Sequence, residues 1–447
     1  MSRKINLLMI AYVFPPALGS GAFRPLSFAN NLQTRGFNVH VLTASNYNLD
    51  NSAIDQTLCD KLDPHVEVHR ARRYRSPAEL LLRIRECFKS KKKQTALVHE
   101  TSISPSTANH RKVFDSIRAT IIELLSYPDN QIGWAPASYV LGKKLIREKK
   151  IDIVFVTGGP WSCLLTATLL KISCGIPVVL DFRDPWVSNP SNDNRPETIR
   201  KLNKLMEAFC VRNCDAIIAN TEELRQDFLI RYSLLNPVKV QTIGNGFDFL
   251  YPLQDRPNDR FTVTHAGVFY LNRNPKEFLL AIRQLISEGF ISVDKIQINF
   301  VGALLVDDEE VSALLSGKYL RDVVRIVPSV SHDKALEFQS ASDVLLLVQP
   351  NFPLQVPRKL FEYLALQRPI LAITEQSGAT AGMIRKADVG LVVSNEISEI
   401  KCALWNMYQR WSSSTKTEMS KDKLLQFSNS FLTDKLGNIL ENIVQRD

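Results

Sequence analysis

The chain has 447 residues, with 55 Lys and Arg against 46 Asp and Glu, a formal net charge of +9, and a hydrophobic content of 45%. That length accommodates two domains of ordinary size, and no apolar stretch approaches the roughly 18 residues of a membrane-spanning helix. Seven cysteines, an odd number without metal-ligand spacing, point away from a disulfide framework and toward reduced thiols in a cytoplasmic protein.

The chain opens with MSRKINLLMIAYVFPP, basic residues ahead of an apolar run. No small-residue cleavage site follows, and the run leads into Pro15, Pro16 and Gly19, so a first buried strand is expected rather than a signal peptide. A helix from about Ala22 to Arg35 and the strand NVHVLTA come next. Beyond a basic insertion the alternation resumes with IDIVFVT, a helix beginning near Trp161, PVVLDF, a helix near 196 to 212, DAIIAN, a helix from Thr221, and VKVQTI. Residues 244 to 259, GNGFDFLYPLQDRPND, are rich in Gly, Pro, Asn and Asp and mark a break. A second series then runs RFTVTHAG, a helix from Pro275, IQINFVG, a helix near 308 to 316, VVRIV, a helix from Ser331, DVLLLV, a further helix, and PILAIT. Such alternation predicts an α/β chain of two doubly wound, Rossmann-like domains facing each other across a cleft. The expected boundaries are 1–250, with the basic insertion at about 70–134, then 251–416, and a largely helical segment from 417 to 447.

The positive charge is uneven. Between Arg70 and Lys150 there are 18 Lys and Arg against 7 Asp and Glu, a local +11 that leaves the remainder at −2. The excess includes RARRYR at 70 to 75 and KSKKK at 89 to 93, beside the apolar LLLRI at 80 to 84. Segments of this kind suit an anionic membrane surface, and a solvated insertion is the alternative. Nucleic acid is not expected, because neither interleaved aromatics nor a recognised binding motif accompanies the charge.

Several loops at strand ends carry residues suited to chemistry. FPPALGSGAFRP, residues 14 to 25, joins the first strand to a helix, and its glycines permit close approach to a phosphate or sugar. It is neither a GxGxxG fingerprint nor a P-loop. Asp181, Arg183 and Asp184 follow a buried run in VVLDFRDPW, where charges are costly unless exposed in a cleft or mutually paired. In HAGVFYLNRNPKEF, Asn274 is the expected N-cap, Pro275 the first helical residue and Glu277 the third, so Arg273 projects beside a helix N-terminus where it can meet a diphosphate. Lys276 is a weaker partner by its spacing, and His265 is read as a structural histidine at a strand end. Pro357 suits the first position of the helix in VPRKLFEYLALQ, which sets Lys359 and Glu362 at its start. The helix end offers free amides to an anion, Lys359 adds charge, and Glu362 can accept two hydrogen bonds from a vicinal diol such as a ribose. An ordinary ion pair on a surface helix is the plainer alternative.

This last segment resembles retaining glycosyltransferases of the GT-B fold, in particular family 4 of the bacterial polysaccharide-biosynthesis type. In that group two glutamates stand eight positions apart on the equivalent helix, and the second contacts the donor ribose. Glu362 matches the second, whereas the first falls at Leu354, so the sequence follows the shorter pattern P-x-K-L-F-E-Y-L-A. The resemblance implies a hexosyltransferase-type enzyme that takes a nucleotide-sugar donor and a glycan or lipid-linked acceptor. It places Gly19, Gly21, Arg273, Lys359 and Glu362 on the donor, and Arg24, Asp181, Arg183 and Asp184 on the acceptor side, with Arg273, Lys359 and Asp184 catalytic. It also implies a final helix crossing back to the first domain. With no HExxH, no clustered ligands and no DxD motif, neither metal nor other cofactor is expected; no G-x-S-x-G elbow suggests a hydrolase. The expected location is cytoplasmic, peripheral on the inner face of the plasma membrane where the insertion meets anionic lipid. A GT-B sugar-nucleotide 2-epimerase and a catalytically silent GT-B binding scaffold remain as alternatives.

Overall fold

The structure is a computed structural model that describes residues 3–45, 54–83, 120–252, 259–270, 273–306, 308–415 and 419–446. The KSKKK run and the rest of 84–119 lie outside the described residues. The chain divides into two compact units, one comprising residues 1–220, 227–243 and 433–447, the other 221–226 and 244–432.

The first unit is built on a parallel sheet of seven strands: β1 (Asn6–Ile10), β2 (Asn38–Ala44), β3 (Glu67–Ala71), β4 (Ile153–Thr157), β5 (Val178–Phe182), β6 (Ala216–Ala219) and β7 (Val240–Thr242). Their order is β3-β2-β1-β4-β5-β6-β7. The chain direction of winding reverses between β1 and β4, which opens the crevice at the carboxyl ends of those strands where doubly wound sheets bind ligands. Every residue of β4, β5 and β6 is buried, which explains their uninterrupted apolar runs. The helix Asn429–Val444 contributes its later part to this unit. Arg35 holds it there, donating to Asp434 O at 2.7 Å, Asn438 Oδ1 at 2.5 Å and the Glu441 carboxylate at 3.1 Å. Gly437 makes room, since a Cβ there would lie 2.4 Å from Arg35 Nε.

The second unit repeats the plan with β8 (Phe261–Ala266), β9 (Phe269–Tyr270), β10 (Ile296–Val301), β11 (Leu304–Leu305), β12 (Val324–Val327), β13 (Val344–Val348), β14 (Ile370–Ile373) and β15 (Gly390–Val393). Six of these form a parallel sheet in the order β12-β10-β8-β13-β14-β15, with β9 and β11 as a small ribbon. Along β13, Val344, Leu346 and Val348 pack into one core with the helices Lys276–Ser287 and Ile397–Ser412, while Leu345 and Leu347 pack into another with the helix Arg358–Leu366. A strand buried on both faces must be apolar at both parities, hence VLLLV. The winding reverses between β8 and β13; His265 stands at the carboxyl end of β8, Gly267 directly follows that strand, and the loop after β13 leads into Arg358–Leu366.

Candidate active site

In the second unit the structure gathers His265, Gly267, Arg273, Lys359 and Glu362 around that switch point. His265 is buried and stacks on Phe269 with ring centroids 4.0 Å apart. Its Nδ1 lies 3.0 Å from Leu346 O, so it donates there, and its Nε2 is left to accept from Lys359 Nζ at 3.1 Å. Burial and the neighbouring Lys359 hold the imidazole well below its ordinary pKa, so it is neutral. The sequence reading of His265 as structural therefore covers half of its role; the other half is to seat Lys359.

Lys359 lies over Gly267. Gly267 has φ +128, and a Cβ there would stand 2.7 Å from the ammonium. Close approach of this lysine thus requires glycine on two grounds, backbone conformation and space. Burial, and secondarily the like charge of Arg273, lower the pKa of Lys359 to about 7, against the raising influence of Glu362. Two cations close enough to perturb one another, seated at a strand switch point and a helix N-terminus, leave room in the electrostatics for an anion. Arg273 itself donates to Tyr270 Oη at 2.9 Å, and its guanidinium lies over the rings of Tyr270 and Phe352.

Helix geometry here agrees with the sequence to within a residue. Pro357 is the N-cap of Arg358–Leu366 and Pro275, rather than the expected Asn274, is the N-cap of Lys276–Ser287, so each proline stands one position before the helix; Asn274 accepts from Lys276 N at 2.9 Å and donates to Asp308 at 2.9 Å. Lys276 turns to Glu310 at 2.5 Å and is spent on that pair. Glu362 is partly exposed, with His332 Nε2 3.4 Å and Arg358 Nη2 3.7 Å from its Oε1. The bond to Glu362 raises the pKa of His332. Neither His332 nor Arg358 stood out in the sequence: His332 lies 30 positions from its partner and opens an ordinary helix.

The first unit uses its charges differently. Arg24 grips Asp181 with two bonds of 3.0 and 2.7 Å and donates to Ile243 O at 2.7 Å, with both side chains buried. Arg183 donates to Gly158 O at 2.7 Å, Gly21 O at 2.9 Å and Gly159 O, clamping the glycine turns after β1 and β4 together. Gly21 is required by this clamp, because a Cβ would sit 2.6 Å from Arg183 Nη1; Gly19 caps the helix Ser20–Thr34 and has space around it. The expectation that Arg24 and Asp181 face an acceptor is thereby corrected: a carboxylate with no exposed surface so near an arginine must be paired, and it is. Of the acceptor-side residues expected from sequence, Asp184 is exposed and Arg183 is partly buried.

Residues 97–249 match the family described as Glycosyltransferase Family 4. No curated protein matches the chain. Among solved structures, a sucrose-phosphate synthase from Thermosynechococcus elongatus is similar at 15% identity, covering 99% of this chain and 100% of its own, with a TM-score of 0.61. HepE of Anabaena, solved with UDP, is similar at 13% identity over 98% of this chain and 100% of its own, TM-score 0.60. The lipopolysaccharide outer core galactosyltransferase WaaB is similar at 10% identity over 98% and 99%, TM-score 0.58. The chain has the GT-B fold of two Rossmann-like units and resembles the glycosyltransferases of family 4, to which its residues 97–249 are matched.

Proposed function

We propose that the protein is a nucleotide-sugar-dependent glycosyltransferase that moves a hexosyl group, with retention, to an acceptor hydroxyl in cell-surface polysaccharide or glycolipid synthesis. The observation that carries this reading is the pair of neighbouring cations, the desolvated Lys359 and Arg273, at the β8/β13 switch point with Glu362 one helical turn on. The diphosphate of the donor is the anion such a place fits, and Glu362 takes the ribose diol. HepE, similar in fold, has been solved with UDP and with UDP-glucose, which supports a nucleotide donor. As the glycosidic bond breaks, negative charge grows on the leaving diphosphate. Lys359, Arg273 and the first amides of the helix Arg358–Leu366 then stabilise it more than the ground state, which is the requirement for catalysis. The donor phosphate can accept the acceptor proton, so no metal is needed for the step. On the acceptor side we assign the exposed Asp184 and the turns that Arg183 organises.

The acceptor reading extends to lipid. Leu80, Leu81 and Leu82 are exposed, together with Tyr74, Arg72, Arg75 and Arg83. Arg73, by contrast, is buried against Glu79 at 2.6 Å and is no part of that basic face. Apolar side chains framed by arginines suit an anionic bilayer surface on the cytoplasmic side.

Incubation with radiolabelled sugar nucleotides and a lipid extract tests the activity. Label transferred to lipid or glycan is the expected result. Release of an epimerised sugar nucleotide without transfer indicates the 2-epimerase, and binding without turnover of any donor indicates the silent scaffold, for which Leu354 in place of a glutamate is the supporting feature. A thermal-shift screen across nucleotides selects the donor base.

A further inference from the structure

His40, Glu67 and His69 converge at the edge of the first unit's sheet. β2 and β3 run parallel with His40 paired to Glu67, and His69 lies two residues along β3, so all three side chains rise from the same face. Their facing atoms form a triangle: His40 Nδ1 to His69 Nε2 is 3.4 Å, His40 Nδ1 to Glu67 Oε2 3.5 Å, and His69 Nε2 to Glu67 Oε2 3.7 Å. A tetrahedral ion with bonds of 2.0–2.1 Å has ligand-to-ligand edges of about 3.3–3.4 Å, so this triangle is close to one face of such a polyhedron. His40 and Glu67 line a concavity of 430 Å³ together with Asn38, His65 and Lys149, which gives a fourth, water ligand room beside them.

We propose that His40, Glu67 and His69 bind one zinc-class divalent cation, with water as the fourth ligand. Two imidazoles and one carboxylate are the donor set that zinc accepts, while calcium and magnesium prefer all-oxygen shells. The ammonium of Lys149 lies 2.6 Å from Glu67 Oε2 and competes with a cation for that oxygen; its side chain is exposed enough to swing away. Glu67 opens β3, and His40 and His69 are the third residues of β2 and β3, away from the carboxyl ends that ligand loops follow, so the ion pins the edge strand β3 and takes no part in sugar transfer. Sequence spacing hides the site because His40 and Glu67 meet only through the strand register.

Tag-free protein stripped with a chelator is titrated calorimetrically with Zn²⁺ and examined by visible absorption with Co²⁺. One Zn²⁺ per chain, a raised melting temperature and an intense four-coordinate Co²⁺ spectrum are expected. His69→Ala should abolish all three and Glu67→Gln should weaken binding, His65→Ala should leave it unchanged, and Lys149→Met should tighten it by removing the competitor. Should His69→Ala affect folding, His40→Gln serves as the second variant, with circular dichroism confirming the native state. Failure of the folded wild type to take up Zn²⁺, or equal uptake by His69→Ala and wild type, overturns the proposal.

Discussion

The two switch points handle charge in opposite ways. In the first unit, Arg24 and Asp181 are spent on each other and Arg183 on three backbone carbonyls, so the arginines hold the loops in place. In the second, Lys359 bonds to a neutral imidazole and feels a second cation, so its charge is poorly compensated in the unliganded protein. A buried charge with a partner is architecture; a buried charge without one is a site that gains free energy when an anion arrives.

Stability gives the largest contrast. Arg24→Leu leaves Asp181 ionised and unpaired in the core, and a loss of about 3–5 kcal/mol is expected in urea denaturation. Replacing both, Arg24→Leu with Asp181→Leu, should recover much of that loss; an equal loss in single and double variants would show that packing, not charge, is at stake. Removal of the cation in the second unit should act with the opposite sign. The pKa of Lys359 lies at about 7, below its ordinary 10.5, so the cost of the buried ammonium is full below pH 7 and fades as pH rises toward the unfolded value. Lys359→Met is therefore expected to stabilise the free protein at about pH 6 and to do so less at about pH 9, measured by denaturant midpoints at each pH.

Donor binding should depend on the same uncompensated charge. An anion raises the pKa of Lys359, so its binding takes up a proton above pH 7, and affinity for a nucleoside diphosphate should fall by up to about tenfold per pH unit there. Lys359→Met should bind more weakly and lose most of this slope, while binding of the nucleoside without phosphates stays unchanged. Arg273→Ala should reduce turnover more than nucleoside binding, since its contact strengthens as charge develops; equal small effects would mark it as a structural side chain held by Tyr270.

The smallest expected effect concerns the membrane. Attachment through exposed arginines and leucines weakens as the Debye length falls from about 10 Å at 0.1 M salt to about 3 Å at 1 M. Sedimentation with anionic vesicles should occur at low salt, vanish at high salt, and be lost when Lys91, Lys92 and Lys93 are changed to Glu. Protein that stays in the supernatant at low salt would favour a soluble acceptor.

What the sequence made legible follows from range. Strands buried on both faces announce themselves by continuous apolar runs, and β4, β5, β13 and β14 lie where IDIVFVT, PVVLDF, DVLLLV and PILAIT put them. The edge strands β3 (EVHRA) and β15 (GLVV) escaped: one alternates charge with apolar residues, the other is four residues long and begins on a glycine. Within the site, Lys359 and Glu362 could be read because three positions on one helix fix their neighbourhood. The pairing of Arg24 with Asp181 across 157 positions, and of His332 with Glu362 across 30, depends on tertiary packing that no local spacing encodes.

In the proposed function the second unit's switch point binds a nucleotide, with Glu362 on the ribose. Calorimetric titration of wild type and Glu362→Ala with the nucleoside diphosphate chosen by thermal shift tests it directly. Loss of one charged hydrogen-bond acceptor, about 1.5–3 kcal/mol, should weaken binding roughly ten to a hundredfold with the fold intact. Equal affinity of the two proteins would contradict the account.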